Sequence, residues 1–476
     1  MSETIEADIC VIGAGSAGLS VAAGAAQLGA ETVLVERGAM GGDCLNHGCV
    51  PSKALIAAAR AADDIRHAGR LGINGHEPAI DFAAVHAHVH GVIDAIAPMD
   101  SEARFTGLGV RVLRASARFT GPREIAAGGA AVRARRFVVA TGSSPAIPPI
   151  PGLDTVPYLT NETVFERDTR PEHLIVIGGG PIGVELAQAH RRLGARVTVV
   201  EQDRILARDD PELVDHIRQA LVADGVDLRE GTGIAAVSGT ADGNGIVVTL
   251  ARDGVEETVA GDALLVAVGR RANVDGLGLD TAGIAHDGKG IRVDARLRTS
   301  NKRVFAIGDV AGGPQFTHLA GYHAGVVVKN ALFRIPAKVD LRALPRVTFA
   351  DPELAQVGLT EDEARARHGE IRVLRWGFHE NDRAQAERRT EGLVKAICTP
   401  RGRILGAGIV GAQAGELIQP WILAIAKKIG IGALATMIAP YPTRGEASKR
   451  AAGAFYTPSL FSPRTRRLVA LLRRLG

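Results

Sequence analysis

The sequence predicts an α/β protein, with two Rossmann-like dinucleotide-binding units followed by an α+β C-terminal region. Three observations carry that prediction. Residues 11–36 (VIGAGSAGLSVAAGAAQLGAETVLVE) and 176–201 (VIGGGPIGVELAQAHRRLGARVTVVE) align without a gap. Each reads as an apolar strand, G-x-G-x-x-G, a helix and a β-branched strand ending in Glu, and the run from Gly13 to Glu36 equals that from Gly178 to Glu201. After Pro345 the pattern shifts to amphipathic alternation over 346–356 and 392–398, as an α+β domain requires. At 476 residues the chain exceeds one hydrophobic core, so about two to four domains are expected.

The chemistry of the repeated unit is specific. Gly13 and Gly178 allow the tight turn, Gly15 and Gly180 let backbone N–H groups approach a pyrophosphate, and Gly18 and Gly183 allow helix to pack on strand. The phosphates then meet a helix N-terminus, whose unpaired N–H groups and dipole favour negative charge. Ser16 and Ala17 in the first unit, and Pro181 and Ile182 in the second, occupy those helix starts. Glu36 (with Arg37 beside it) and Glu201 end the second strands, where a carboxylate accepts hydrogen bonds from ribose hydroxyls. Two different dinucleotides are therefore expected.

Cys44 and Cys49 lie just beyond the first unit in GGDCLNHGCVPSK, where Gly42 and Asp43 lead in and Lys53 follows. So close a pair, where a structural staple has little to hold, reads as a redox shuttle. Pro51 suits the first turn of a helix through 54–60, so Cys49 stands at a helix N-terminus, where a thiolate is favoured. The unit feeding the cysteines is expected to hold the flavin, FAD, and the second unit the nicotinamide. Gln202 and Asp203 follow Glu201, with Arg204 as the only nearby cation. A 2′-phosphate would meet like charge there, which predicts NADH over NADPH. Further strand-to-turn signals are Ala140, Thr141 and Gly142, then a proline-rich stretch at 145–151 read as a linker, then the run from Leu264 through Gly269 to Arg270. The run Val304 to Asp309 sets an acid, after Gly308, at the C-terminal end of an apolar strand, where open α/β sheets bind ligands.

Composition excludes several classes. The formal net charge is +4 and no zinc-finger spacing or aromatic–basic interleaving occurs, so nucleic acid is not an expected partner. No basic n-region with a cleavage site precedes Ile9, and no run of about 18 apolar residues appears. A cytoplasmic protein without a membrane span is expected. Four cysteines are too few for a secreted disulfide scaffold.

GGDCLNHGCVPSK, the turn at 140–142, the second fingerprint, FAIGDVAG (305–312) and VTFADPELAQVGLTEDEA (347–364) together resemble the class I pyridine nucleotide-disulfide oxidoreductases. That family includes dihydrolipoamide dehydrogenase, glutathione reductase and mercuric reductase. The resemblance runs from Ile9 to about Ala454. It implies an FAD domain (1–150 and 272–344) split by an NAD(P) domain (151–271), then a dimerisation domain (345–476), in a homodimer that shares its active sites. It also implies that Cys49 is the flavin-proximal thiol and Cys44 the interchange thiol. Lys53 would pair with Glu185 beside the flavin, Ala117 would join the FAD site, and Asp309 would bind the ribityl chain. Thr317 and His318 would open a helix facing the ring.

One departure stands out. Dihydrolipoamide dehydrogenase and glutathione reductase carry His-Pro near the C-terminus, with a glutamate five residues beyond the histidine; here the matching residues are Tyr441, Pro442 and Glu446. Imidazole exchanges protons near neutrality and phenol does not. Tyrosine at this place resembles mercuric reductase, although no cysteine follows Cys398 where that enzyme carries an adjacent pair. The reading is thus a flavoprotein oxidoreductase passing electrons from NADH through FAD to Cys44–Cys49. Its acceptor would be a small molecule, a thiophilic metal ion or a protein disulfide. The rival readings are dihydrolipoamide dehydrogenase and a redox-sensing flavoprotein.

Other features read as ordinary. His86, His88 and His90 are expected to be solvent-facing rather than metal ligands, on a helix whose Val85, Val89, Val92, Ile93 and Ile96 form the packed face; no resident metal is expected. Cys10 and Cys398 read as small buried hydrophobes. The tail, with Arg464, Arg466, Arg467, Arg473 and Arg474 among Leu468, Leu471, Leu472 and Leu475, reads as a basic amphipathic helix docked on its own domain. An anionic membrane surface is the alternative.

Overall fold

The structure, a computed structural model, describes residues 3–474 apart from 242 and 244. Each repeat folds as the same unit. In the first, strand Thr4–Ile12 leads to helix Ser16–Gln27 and strand Thr32–Glu36; in the second, His173–Ile177 leads to Pro181–Arg192 and Arg196–Val200. The strand cores are buried on both faces, as parallel strands covered by helices must be. Pro181 occupies the first helical position, where its missing N–H costs nothing.

The fingerprint glycines are required by contact as well as by conformation. Gly13 and Gly178 adopt φ of +105° and +110°, which side-chain-bearing residues rarely adopt. A Cβ on Gly18 would lie 1.8 Å from the Gly13 carbonyl oxygen, and one on Gly183 2.0 Å from that of Gly178.

The first sheet has seven strands. Val110–Arg114, Thr32–Glu36, Thr4–Ile12 and Ala130–Val139 run parallel in that order, and Val304–Ala306 adds in parallel to the end of Ala130–Val139. Glu124–Ala127 and Ala117–Gly121 continue it antiparallel. Residues on either side of the second repeat therefore share one sheet. The second sheet is fully parallel, in the order Asp227–Arg229, Arg196–Val200, His173–Ile177, Ala263–Val266. A three-stranded antiparallel sheet spans Gly233–Gly261 beside it.

The stretch at 145–151 is not a free linker. Ser143–Pro145 pairs antiparallel with Arg270–Ala272, so the chain is sewn together where it passes between the two parallel sheets. The Pro151 carbonyl also accepts a hydrogen bond from the Val237 N–H.

Beyond Pro345 a five-stranded antiparallel sheet forms, in the order Pro345–Thr348, Glu353–Gly358, Ile404–Gly411, Leu393–Cys398, Arg372–Gly377. Its central strands are buried almost throughout, unlike the half-exposed alternation expected. Alternate residues enter two different cores. Ala355, Val357, Ala407 and Ile409 face helices of their own region, around Trp421 and Ala451. Leu354 and Val410 instead pack with Leu213 and Val214, from helix Pro211–Ala223 of the second repeat's region.

Several single-residue expectations resolve here. The helix after the cysteines is longer than expected, Cys49–Arg66. Cys10 and Cys398 are buried. His88 faces solvent, but His86 and His90 are half-buried with ring centroids 4.2 Å apart. His90 is held by the Phe165 carbonyl at 3.2 Å, because Phe165 packs on that helix face. Val85, Val89, Val92 and Ile93 do pack, whereas Ile96 is exposed. The tail helix Pro463–Leu472 has no buried residue, so it is not docked on its own domain; Leu475 lies outside the described residues. Among the described residues no helix is long and apolar enough to cross a membrane.

Charge as well as apolar packing joins the C-terminal sheet to the second repeat's region. Lys395 is buried, with its Nζ 2.8 Å from Asp210 and Glu212 and 2.9 Å from Glu361. Arg375 also grips Glu212, at 2.6 Å. Removing one partner of a buried ion pair costs roughly 3–5 kcal/mol. Arg375 still compensates two of the three carboxylates, so Lys395→Ala is expected to cost about 2–3 kcal/mol. A drop in the urea midpoint checks this, and Lys395→Arg should restore part of it.

Candidate active site

The C-terminal ends of the parallel strands and the N-termini of their helices open onto one continuous cleft of about 1640 Å3. That exceeds the usual ~300–1,000 Å3 of a single small-ligand site, and its length runs from one fingerprint turn to the other. Every residue singled out from sequence for a dinucleotide or the cysteine centre lines it, except Gly18, Gly183, Asp203, Tyr441 and Glu446. The two glycines are absent because they sit in the helix–strand contact instead.

The turns present what a pyrophosphate needs. A Cβ on Gly180 would meet nothing within 4 Å, and one on Gly15 only the Cα of Gly42 at 3.9 Å. Both face open space at a helix N-terminus. The strand-end acids are braced alike. Glu36 accepts from Ala14 N–H at 2.5 Å and Gly38 N–H at 2.6 Å, and Glu201 accepts from Gly179 N–H at 2.6 Å and Asp203 N–H at 3.0 Å. Each carboxylate is aimed by the loop it serves and retains lone pairs for a ribose.

Cys44 and Cys49 flank a short turn and occur as free thiols. Cys49 is the first residue of its helix and is exposed to the cleft, while Cys44 is half-buried. The Cys49 thiol is lowered to about 6, chiefly by the hydrogen bond from Cys44; the Thr317 hydroxyl and the Lys53 charge act in the same direction, and burial opposes them. Thr317 Oγ1 lies 3.4 Å from the sulfur. Cys44 is pushed up, first because its thiol donates a hydrogen bond to Cys49 and then by burial. The reduced pair thus holds one negative charge and one proton, in assigned places.

Lys53 is fixed by Glu185 at 2.7 Å. The same carboxylate accepts from Phe349 N–H at 2.8 Å, and the ammonium sits 4.5 Å from the Phe349 ring centroid. Residues from three separate stretches of chain therefore hold one ammonium beside the cysteines. Thr317 and His318 do open a helix, Thr317–Ala331, and His318 Nε2 donates to the Pro345 carbonyl at 3.0 Å.

Sequence reasoning missed Arg270. Nearly buried, it donates to Ser143 Oγ and to the Ser143 carbonyl, both at 2.7 Å, and to Asn161 at 3.2 Å. It also lies 3.1 Å from Asp43, the neighbour of Cys44. Ser143 in turn donates to Asp309 at 2.6 Å, whose carboxyl is raised by burial. Arg270 ends the run that was read only as a strand-to-turn signal, and no local pattern marks its partners. His47 was missed as well: it lines the cleft, and its Nδ1 is buried without a hydrogen-bond partner among the described residues. Arg208 lines the cleft as Arg204 does, so Arg204 is not the only cation that follows Glu201 into it.

Tyr441 and Glu446 are not brought to the cysteines of their own chain. Tyr441 is 70% exposed and donates its hydroxyl proton to Asp382 at 2.9 Å, which raises the phenol above its ordinary range. Among the described residues no group of three or more His, Cys, Asp or Glu side chains could hold a metal ion.

A sheet pair built around two dinucleotide turns, with a dithiol in the cleft between them, defines a nucleotide-linked disulfide oxidoreductase. Comparison with known proteins agrees. The pyridine nucleotide-disulphide oxidoreductase family matches residues 7–324, and its dimerisation domain matches 344–452. The chain belongs to this family, whose members are FAD-dependent and use pyridine nucleotides. It is 39% identical to a mercuric reductase of Streptomyces lividans, over 94% of this chain and 96% of that protein. It is 37% identical to a dihydrolipoyl dehydrogenase of Thermus scotoductus, over 95% and 98%. Among solved structures, LpdA from Mycobacterium tuberculosis superposes with a TM-score of 0.86 at 29% identity, covering 94% of this chain and 99% of that one. The Cu(II) complex of the HOCl-induced flavoprotein disulfide reductase RclA from Escherichia coli gives 0.84 at 27%, covering 93% and 99%.

The thiolate assignment carries a pH dependence. A lowered pKa means that Cys49 is charged above about pH 6 and is protonated as pH falls through that value. The thiolate absorbance lost in Cys49→Ala, measured on the reduced protein, should titrate near that midpoint, and Thr317→Val should move it upward.

Proposed function

We propose that this enzyme passes two electrons from NADH, through FAD, to the Cys44–Cys49 disulfide and on to a thiophilic metal ion, as the name mercuric reductase says of its relatives. The carrying observation is the single cleft that joins both fingerprint turns to a dithiol whose charge and proton are divided between its two sulfurs. In this reading FAD occupies 1–150 and 272–344, the nicotinamide 151–271, and residues 345–476 form the dimerisation domain with a basic C-terminal tail. The first fingerprint, with Glu36, Arg37, Ala117 and Asp309, holds the FAD, and the second, with Glu201 and Gly269, holds NADH. Glu201 opposes a 2′-phosphate, which favours NADH; Arg204 and Arg208 are where NADPH would be met.

When bound, FAD supplies a two-electron relay between the nicotinamide and sulfur. The chain's residues handle charge and protons. Opening the disulfide consumes two electrons and one proton and leaves a thiolate on Cys49 and a thiol on Cys44. Thr317, Lys53 and the helix N-terminus stabilise the first, while Cys44 retains the second and meets the acceptor. A bound M2+ ion displaces the thiol proton, and two electrons then leave it as M0 and restore the disulfide. Overall, NADH and M2+ yield NAD+, H+ and M0.

Disulfide exchange instead demands a group that repeatedly takes and returns a proton. Tyr441, contributed with Glu446 across a homodimer, is a poor one, because its hydrogen bond to Asp382 holds the phenol protonated. The identity with dihydrolipoyl dehydrogenase over nearly the full length of both chains supports a second reading, in which a dithiol–disulfide substrate turns over.

An acceptor screen on the purified yellow holoenzyme tests these readings. NADH-dependent reduction of Hg2+ is expected to exceed that of lipoamide by at least about tenfold, and Cys44→Ala to lower it at least about hundredfold while NADH still bleaches the flavin. Lipoamide turnover equal to or above that with metal establishes the second reading instead. Tyr441→His is expected to raise disulfide turnover by about tenfold or more. For the coenzyme, kcat/KM should favour NADH, and a tenfold preference for NADPH refutes that assignment.

A further inference from the structure

The chain continues beyond the matched dimerisation domain, which ends at residue 452, into helix Pro463–Leu472. With about 3.6 residues per turn, Leu468, Val469, Leu471 and Leu472 share one side of that helix. Each is more than half exposed. Arg466 and Arg467 fall on the opposite side, Arg464 lies on the first turn between the directions of Leu468 and Leu471, and Arg473 and Arg474 follow directly on the helix end. No acidic residue occurs from 463 to 474. Just before the helix, Leu460 and Phe461 are 57% and 61% exposed.

So much exposed apolar surface on one short helix requires an occupant. The chain's own body is not that occupant, since no residue of the helix is buried. A symmetric contact with the same helix of a second copy would cover the apolar side but leave the arginines on the other side without a counter-charge. A bilayer with anionic headgroups answers both sides of the helix at once, because the apolar side enters the acyl boundary while the guanidinium groups meet phosphates.

We infer that residues 460–474 seat this enzyme on the surface of an anionic phospholipid membrane, with the catalytic cleft remaining in water. The interaction is peripheral and reversible. A homodimer presents two such helices, and their joint engagement multiplies a weak individual affinity. The inference does not depend on which acceptor the cysteines serve.

The test is co-sedimentation of the full-length holoenzyme with vesicles of equal parts phosphatidylglycerol and phosphatidylcholine, against phosphatidylcholine alone. Partition onto the anionic vesicles should be greater by about tenfold or more and should fall with added salt. Leu468→Ser with Leu472→Ser, which leaves the charge unchanged, should abolish it, and Arg473→Gln with Arg474→Gln should weaken it roughly tenfold. Each substituted side chain is surface-exposed and does not line its own chain's cleft, so NADH oxidation at the wild-type rate confirms folding. Equal partition onto both vesicle types overturns the inference. So does loss of the dimer in the double serine variant, seen by light scattering, which would make the apolar side a contact between copies of this chain.

Discussion

Everything in this molecule serves the stabilisation of one negative charge on Cys49 in a cleft whose partial burial opposes it. Burial alone raises a thiol, as it does for Cys10 and Cys398. At Cys49 the opposite outcome is reached because a second thiol, a hydroxyl and an ammonium converge on the sulfur at the first turn of a helix. None of these acts alone, and no two of Cys44, Lys53 and Thr317 come from the same secondary-structure element. The fold exists to keep them together.

That need explains where the chain invests its ion pairs. Lys53 is held by Glu185 from the second repeat's helix, and Glu185 is itself held by the Phe349 N–H from the turn between the first two strands of the C-terminal sheet. Arg270, at the seam between the two parallel sheets, reaches the residue next to Cys44 and connects through Ser143 to Asp309. Farther out, Lys395 and its three carboxylates fasten the C-terminal sheet to helix Pro211–Ala223. Each bridge spans a boundary between sheets, and a shift there would move the groups that set the Cys49 charge.

The proton side of the chemistry is built differently. The phenol of Tyr441 is tied to Asp382 and stands away from its own chain's cysteines. The site is therefore strong in holding a thiolate and weak in neutral-pH proton exchange. That asymmetry suits an acceptor that binds sulfur directly better than one that must be protonated as it leaves.

The local chemistry was legible in the sequence because it depends on short spacings. The two glycine turns, the strand-end acids and a cysteine at a helix start are properties of neighbouring residues, and the structure places them as the spacings require. The sequence by itself thus determined two dinucleotide turns, a dithiol beside the first, and a phenol where an imidazole was expected. Tertiary structure alone decided the single cleft, the strand pairing of Ser143–Pro145 with Arg270–Ala272, the reach of Arg270, and a C-terminal sheet whose central strands are buried on both faces. It also left the tail helix uncovered. These depend on contacts between residues far apart in the chain, and no local periodicity records which surface will meet which.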